Sequence, residues 1–155
     1  MSDIREDRER ICDVVLRYAT GIDQRDWNLL RTCWTPEVEA DYGAFGQFTS
    51  ADALTETMAR THENMGPTFH RISNIVIEID GDQASVRSYV HGVLMVTPDD
   101  PGNWVDVIGS YEDVLIRTTE GWRISRRIAR TARTLTASTA LRTGSGLDGS
   151  RRAAP

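Results

Sequence analysis

The apolar positions at the start of the chain fall at Ile11, Val14, Val15, Tyr18, Ala19 and Ile22. This i, i+3, i+4, i+7, i+8, i+11 spacing is the stripe of an amphipathic helix. The pattern predicts a helix that starts between Asp3 and Arg5 and ends between Asp23 and Arg25. Asp26 can then cap a short second helix carrying Trp27, Leu30 and Trp34, which Thr35-Pro36 stops. Val38 to Tyr42 alternates as a strand does, and Gly43 and Gly46 allow a turn before Gln47-Phe48. Thr49 or Ser50 caps a third helix, with Ala51, Leu54, Met58 and Met65 on or near one face and an end at Gly66-Pro67.

Helical periodicity then gives way to four extended segments, at about residues 68 to 79, 83 to 96, 104 to 118 and 122 to 135. Asp80-Gly81-Asp82 and Glu120-Gly121 mark tight turns, so two antiparallel hairpins are expected. Thr97 to Asn103, with two prolines and a glycine, reads as a longer loop between them. Helices followed by a run of long strands describe an α+β domain. Strands of this length bend through bulges, and a bent sheet under helices leaves a pocket. From Ala137 onward small and polar residues dominate, which divides the chain into a domain over residues 1–136 and an expected disordered tail over 137–155.

At 155 residues the chain fits one domain with a real core. Its first ten residues are too charged for a secretory signal, and no stretch approaches a membrane span of about 20 apolar residues, so a cytoplasmic location is expected. Cys12 and Cys33 lie in separate helical patterns without zinc-like spacing and read as reduced thiols. A net charge of −5 argues against a nucleic-acid surface. All 18 basic residues are arginine. Without lysine, Schiff-base catalysis and a Walker-type phosphate loop are both excluded. Gly144 to Gly146 has no strand before it and no helix after it, so it is not a nucleophile elbow.

Acid/base chemistry near neutral pH has three histidines to draw on. His62, among Thr61, Glu63 and Asn64, reads as a solvated helix surface. His70 opens the first long strand, where a histidine on its own is more often an ordinary, partly buried residue. His91 shares a strand face with Tyr89 by the two-residue period, and it needs a partner if buried. Asp23 lies about 120° around the helix from Ile11, at the border of the buried face. An acid at a helix C-terminus is disfavoured by the macrodipole, so Asp23 reads equally as a surface turn acid or as a working group.

Four segments carry a family resemblance: Ala19 to Trp27 (Ala-Thr-Gly-Ile-Asp-Gln-Arg-Asp-Trp), Asp41-Tyr42, His70-Arg-Ile-Ser-Asn, and Gly121-Trp122-Arg-Ile. Over residues 5 to 135 the chain resembles the SnoaL-like branch of the nuclear transport factor 2-like superfamily, in the group containing scytalone dehydratase, the bile-acid 7α-dehydratase and the lindane dehydrochlorinase. The resemblance implies a cone-shaped, bent, mainly antiparallel (mixed) sheet with three N-terminal helices enclosing a pocket. It implies that Asp23 and His70 form a proton-abstracting catalytic dyad. It also implies that Tyr18, Tyr42, His91 and Arg127 contact substrate.

The implied function is a cofactor-independent lyase, dehydratase or isomerase acting on a hydrophobic cyclic molecule such as a polyketide, steroid or aromatic precursor. Alternatives are a SnoaL-type polyketide cyclase and a non-catalytic ligand-binding or subunit-assembly domain. No metal, cofactor, nucleic acid or membrane partner is expected. A homodimer or homotrimer through the outer sheet face is expected, with Val86, Val90 and Leu94 as its apolar positions.

Overall fold

A computed structural model describes residues 3–138. The first helix, α1, spans Ile4–Asp23; Asp3 caps it by accepting from the Arg5 N–H, and Glu6 and Asp7 lie in its first turn. Negative charge there complements the helix dipole. The stripe read from the sequence is the face that α1 buries. A second helix, α2 (Trp27–Arg31), starts at Asp26, whose side chain accepts from the Leu29 N–H. The two helices cross closely at Gly21, where a Cβ would stand 3.0 Å from the Leu30 nitrogen.

The first strand, β1, runs Trp34–Asp41, and a single 3₁₀ turn at Gly43–Phe45 leads to β2, Gln47–Phe48. The third helix, α3, spans Ala51–His62 with Ser50 as its cap. Four long strands follow: β3 (Thr68–Asp80), β4 (Gln83–Thr97), β5 (Asp100–Thr118) and β6 (Gly121–Ala137). They form one six-stranded sheet in the order β2-β1-β6-β5-β4-β3. β1 runs parallel to β6, and every other neighbouring pair is antiparallel. α1 packs on β3 and β6, and α3 packs on β1. The core lies between these helices and one face of the sheet, around Ile11, Val15, Leu54, Trp122 and Ile124.

Bulges decide which side chains reach that core. In β3 the register shifts between Ser73 and Val76, with Asn74 at φ 51°. Before the shift Thr68, His70 and Ile72 are the more buried positions, and after it Ile75, Ile77 and Ile79 are. An inserted residue reverses the strand's alternation, so His70 and Ile77 share a face although an unbroken period would separate them. In β6 Ala132 is the extra residue, since Ile108 pairs with Arg133 and Gly109 with Thr131, and a Cβ on Gly109 would lie 2.1 Å from the Arg130 carbonyl oxygen. Only glycine fits there.

Several expectations are corrected. The sheet is open and is not curled into a cone, because its edge strands β2 and β3 stand at opposite ends of the strand order and do not pair. The helices therefore do not enclose a pocket, and the hollow beneath them opens to solvent. Trp34 belongs to β1 and not to the second helix, which ends at Arg31. Pro36 is accommodated inside β1, where the pairing with β6 breaks between Trp34 and Glu39. The expected loop from Thr97 to Asn103 shrinks to a turn at Pro98-Asp99, since Thr97 pairs directly with Asp100. Val86 and Val90 are buried beneath the helices and Leu94 lines the hollow, so none of them is on the outer face. The apolar side chains exposed outside include Phe69, Val76, Tyr89, Ile108 and Leu135. The expected tail lies outside the described residues from 139 onward, and β6 continues to Ala137. Among the described residues no helix is long and apolar enough to cross a membrane.

Candidate active site

Asp23 ends α1, and the first half of β3 runs beside that helix end. Its Oδ1 lies 2.7 Å from His70 Nδ1, and its Oδ2 accepts from the His70 backbone N–H at 2.8 Å. The Thr68 hydroxyl also donates to Oδ1, at 2.9 Å. Arg25 braces this corner. Its guanidinium donates to the Ile22 carbonyl at 2.8 Å, to the Thr68 hydroxyl at 2.8 Å and to the Gly66 carbonyl at 2.7 Å. The helix end thus gains a cation on its Ile22 carbonyl, and the carboxylate gains three donors. Burial alone would raise the Asp23 carboxyl, but the hydrogen bonds and charge of His70, with the Thr68 hydroxyl, hold it below its ordinary value.

An ionised carboxylate only accepts, so the hydrogen of a neutral His70 resides on Nδ1 and Nε2 keeps its lone pair. The imidazole side chain is 10% exposed and lines a cavity of about 460 Å³. Tyr18, Tyr42, Met58, Val90, Leu94 and Tyr111 contribute to its largely apolar wall. The arrangement is that of an acid/base dyad at the edge of an apolar hollow.

Beyond the dyad lies a cluster of phenols. The Tyr42 hydroxyl donates to the Tyr18 oxygen at 3.3 Å, and the Tyr18 and Tyr111 hydroxyls stand 3.4 Å apart. The Tyr18 and His70 ring centres are 6.5 Å apart. Burial pushes all three phenols above their ordinary values, so they stay protonated and can donate hydrogen bonds.

Arg127 lies behind the tyrosines and does not line the cavity, so the expected substrate contact is corrected. It is fully buried and donates to both carboxylate oxygens of Asp113 at 2.7 Å. Its guanidinium carbon sits 4.2 Å from the Tyr18 ring centre and 4.0 Å from that of Tyr111. It also donates to the Tyr42 hydroxyl at 3.5 Å. The expected placement of His91 is corrected too. Odd positions of β4 face away from the helices, and His91 Nε2 meets Asp106 Oδ2 at 2.9 Å on the outer face.

Two cavity residues escaped the sequence reading. His62 is 6% exposed and lines the cavity, although it was read as a solvated helix surface. Its signal was present, because Ala51, Leu54, Met58 and His62 follow one helical stripe, whereas Met65 lies past the helix end. Tyr111 follows the unbroken two-residue period of β5, in which Tyr111, Asp113 and Leu115 are the buried positions, so alternation was its signal.

This arrangement of three helices on a six-stranded mixed sheet is the nuclear transport factor 2-like fold. A SnoaL-like domain model matches residues 3–128, and the chain belongs to that family. An uncharacterised protein of Mycobacterium tuberculosis is 29% identical over 128 residues, covering 79% of this chain and 83% of its own. A candidate aromatic ring hydroxylase of Novosphingobium aromaticivorans is 26% identical with a TM-score of 0.78, over 88% of this chain and 96% of its own. A candidate scytalone dehydratase of the same organism has a TM-score of 0.76 at 24% identity, over 84% and 87% of the two chains. A hexachlorocyclohexane dehydrochlorinase from Novosphingobium barchaimii has a TM-score of 0.71 at 17% identity, over 85% and 90%. The last two likenesses show the shared fold.

Proposed function

We propose that the protein is a cofactor-independent lyase that removes a small leaving group, such as water, from a hydrophobic cyclic molecule. The observation that carries this reading is the Asp23–His70 pair, whose geometry leaves the unshared pair of His70 Nε2 for the cavity. Nε2 takes a carbon-bound proton from the substrate, and the electrons of that C–H bond form the new double bond as the leaving group departs from the neighbouring carbon. Asp23 orients the imidazole and stabilises the imidazolium that results. A base so placed contributes roughly 10²–10⁴ in rate.

Tyr18 and Tyr42 are the donors in this scheme. Their phenolic O–H groups hydrogen-bond the oxygen on which charge develops, or protonate the departing hydroxyl. A cavity of about 460 Å³ with a largely apolar wall suits a molecule of a few fused rings. The names of two structural neighbours, a candidate dehydratase and a dehydrochlorinase, both denote eliminations and support the reading.

The test is to incubate wild type and His70→Ala with cyclic β-hydroxy carbonyl compounds in deuterated water and to follow both dehydration and deuterium incorporation. Loss of both in the variant is expected. Equal turnover by the two proteins would remove His70 as the base.

A further inference from the structure

His62 closes the buried stripe of α3, and its Nδ1 lies 2.7 Å from the Met58 carbonyl oxygen. A carbonyl oxygen only accepts, so Nδ1 carries the hydrogen and a neutral ring has its unshared pair on Nε2. With Nδ1 turned back onto the helix, the Nε2 edge points away from it. No described residue hydrogen-bonds that nitrogen, which is itself buried. Burial lowers the ring's proton affinity despite the bond to Met58, so the neutral form prevails near neutral pH.

Two neighbouring donors, Thr61 and Arg25, have other partners. The Thr61 hydroxyl donates to the Thr57 carbonyl at 2.8 Å. Arg25 spends its guanidinium on Ile22, Thr68 and Gly66. The His62 ring lines the cavity beside Met58 and Met65, and also borders an outer groove with Trp27 and Glu63. A buried acceptor left unpaired is costly, so a ligand that supplies the missing donor is favoured over one that does not.

We propose that His62 Nε2 accepts a hydrogen bond from a neutral hydroxyl of the substrate, which makes the substrate a hydrophobic ring compound bearing a free hydroxyl besides the position that reacts at His70. This rests on the cavity being the substrate site of the proposed lyase. A neutral acceptor cannot protonate a leaving group, so the hydroxyl it holds is one the product retains. His62 is therefore a specificity residue, and the tyrosines remain the donors.

The test compares binding of 2-naphthol with 2-methylnaphthalene, in which a methyl group replaces the hydroxyl. Wild type is expected to prefer 2-naphthol by about tenfold, the value of one neutral hydrogen bond to a buried partner. His62→Phe should lose that preference, and His70→Ala should keep it. No preference in wild type, as water satisfying His62 would give, overturns the proposal. So does a preference that survives His62→Phe or vanishes in His70→Ala. In wild type labelled with ¹⁵N-histidine, the Nε2 resonance of His62 should move with 2-naphthol and stay in place with 2-methylnaphthalene; an unmoved resonance overturns the proposal without recourse to a variant. The lyase reading fails on a different result, equal turnover by His70→Ala, so the two failures are distinguishable.

Discussion

Asp23 holds His70 at both of its nitrogen donors, the ring Nδ1 at 2.7 Å and the backbone N–H at 2.8 Å, across 47 residues of chain. One carboxylate thus sets both the direction of the imidazole and the start of the strand that carries it. Removing the charge while keeping the shape is the sharpest probe of this relationship. Asp23→Asn should lower kcat by at least about 10²-fold, because the amide can present its N–H to Nδ1 and favour the wrong tautomer. KM should move little. Steady-state kinetics with a turned-over β-hydroxy carbonyl compound would check it, and an unchanged kcat would show that the carboxylate does not orient the base.

The same carboxylate makes stability depend on pH with a definite sign. Its folded pKa is depressed, so its contribution is fully present above the unfolded value of about 4 and is lost as pH falls through the folded value. The gap in urea midpoint between wild type and Asp23→Asn should shrink as pH drops below about 4, where the carboxylate is protonated. A gap that widens below that pH would contradict the sign.

Removing the Tyr18 hydroxyl tests the donor role separately from packing. Tyr18→Phe keeps the ring against Arg127 and Trp34 but removes the oxygen shared with Tyr42 and Tyr111. The expected outcome is a loss in kcat of about 10²-fold, the scale of one lost donor to a developing oxyanion. The thermal midpoint should change by only a few degrees. Full activity in Tyr18→Phe would move the donor role to Tyr42 or Tyr111.

The Arg127–Asp113 pair should behave as a buried ion pair does. Asp113→Ala leaves a fully buried guanidinium without its carboxylate and should cost about 3–5 kcal/mol. The double change Asp113→Leu with Arg127→Met should cost much less, because no unpaired charge remains. Denaturant titrations of wild type and the two variants would show the double change to be the milder. A double change that costs as much as Asp113→Ala would mean that the unpaired charge is not what destabilises.

Gly109→Ala should destabilise the fold by about 1–3 kcal/mol, since a Cβ there meets backbone, 2.1 Å from the Arg130 carbonyl oxygen, and no side chain can move out of its way. Urea unfolding checks this, and an unchanged midpoint would show that the β6 bulge opposite Gly109 relaxes freely.

The local pattern was enough for the elements that rest on short-range physics. The stripe from Ile11 to Ile22 is the buried face of α1, Asp26 and Ser50 cap their helices, and Gly81 and Gly121 adopt positive φ where the turns were expected. The Asp23 and His70 positions could be picked out because their segments carry a family motif. Trp34 was misread because an indole fits a helix stripe as well as a strand, and only pairing of β1 with β6 decides between them.

The sequence by itself determined the helices, the hairpin turns and the α+β order of elements, all of which follow from periodicity, capping and backbone preference over a few residues. Tertiary structure alone decided which face each long strand presents. A one-residue bulge, in β3 at Asn74 or in β6 opposite Gly109, reverses the alternation of its own strand beyond it, and its place depends on pairing with a neighbouring strand. That is why His70 and Ile77 share the inward face of β3, whereas β4 keeps an unbroken alternation that turns His91 outward to Asp106. It is also why the sheet stayed open: closing it would need β2 and β3 to meet, and no local pattern encodes whether two edges so far apart in the strand order find each other.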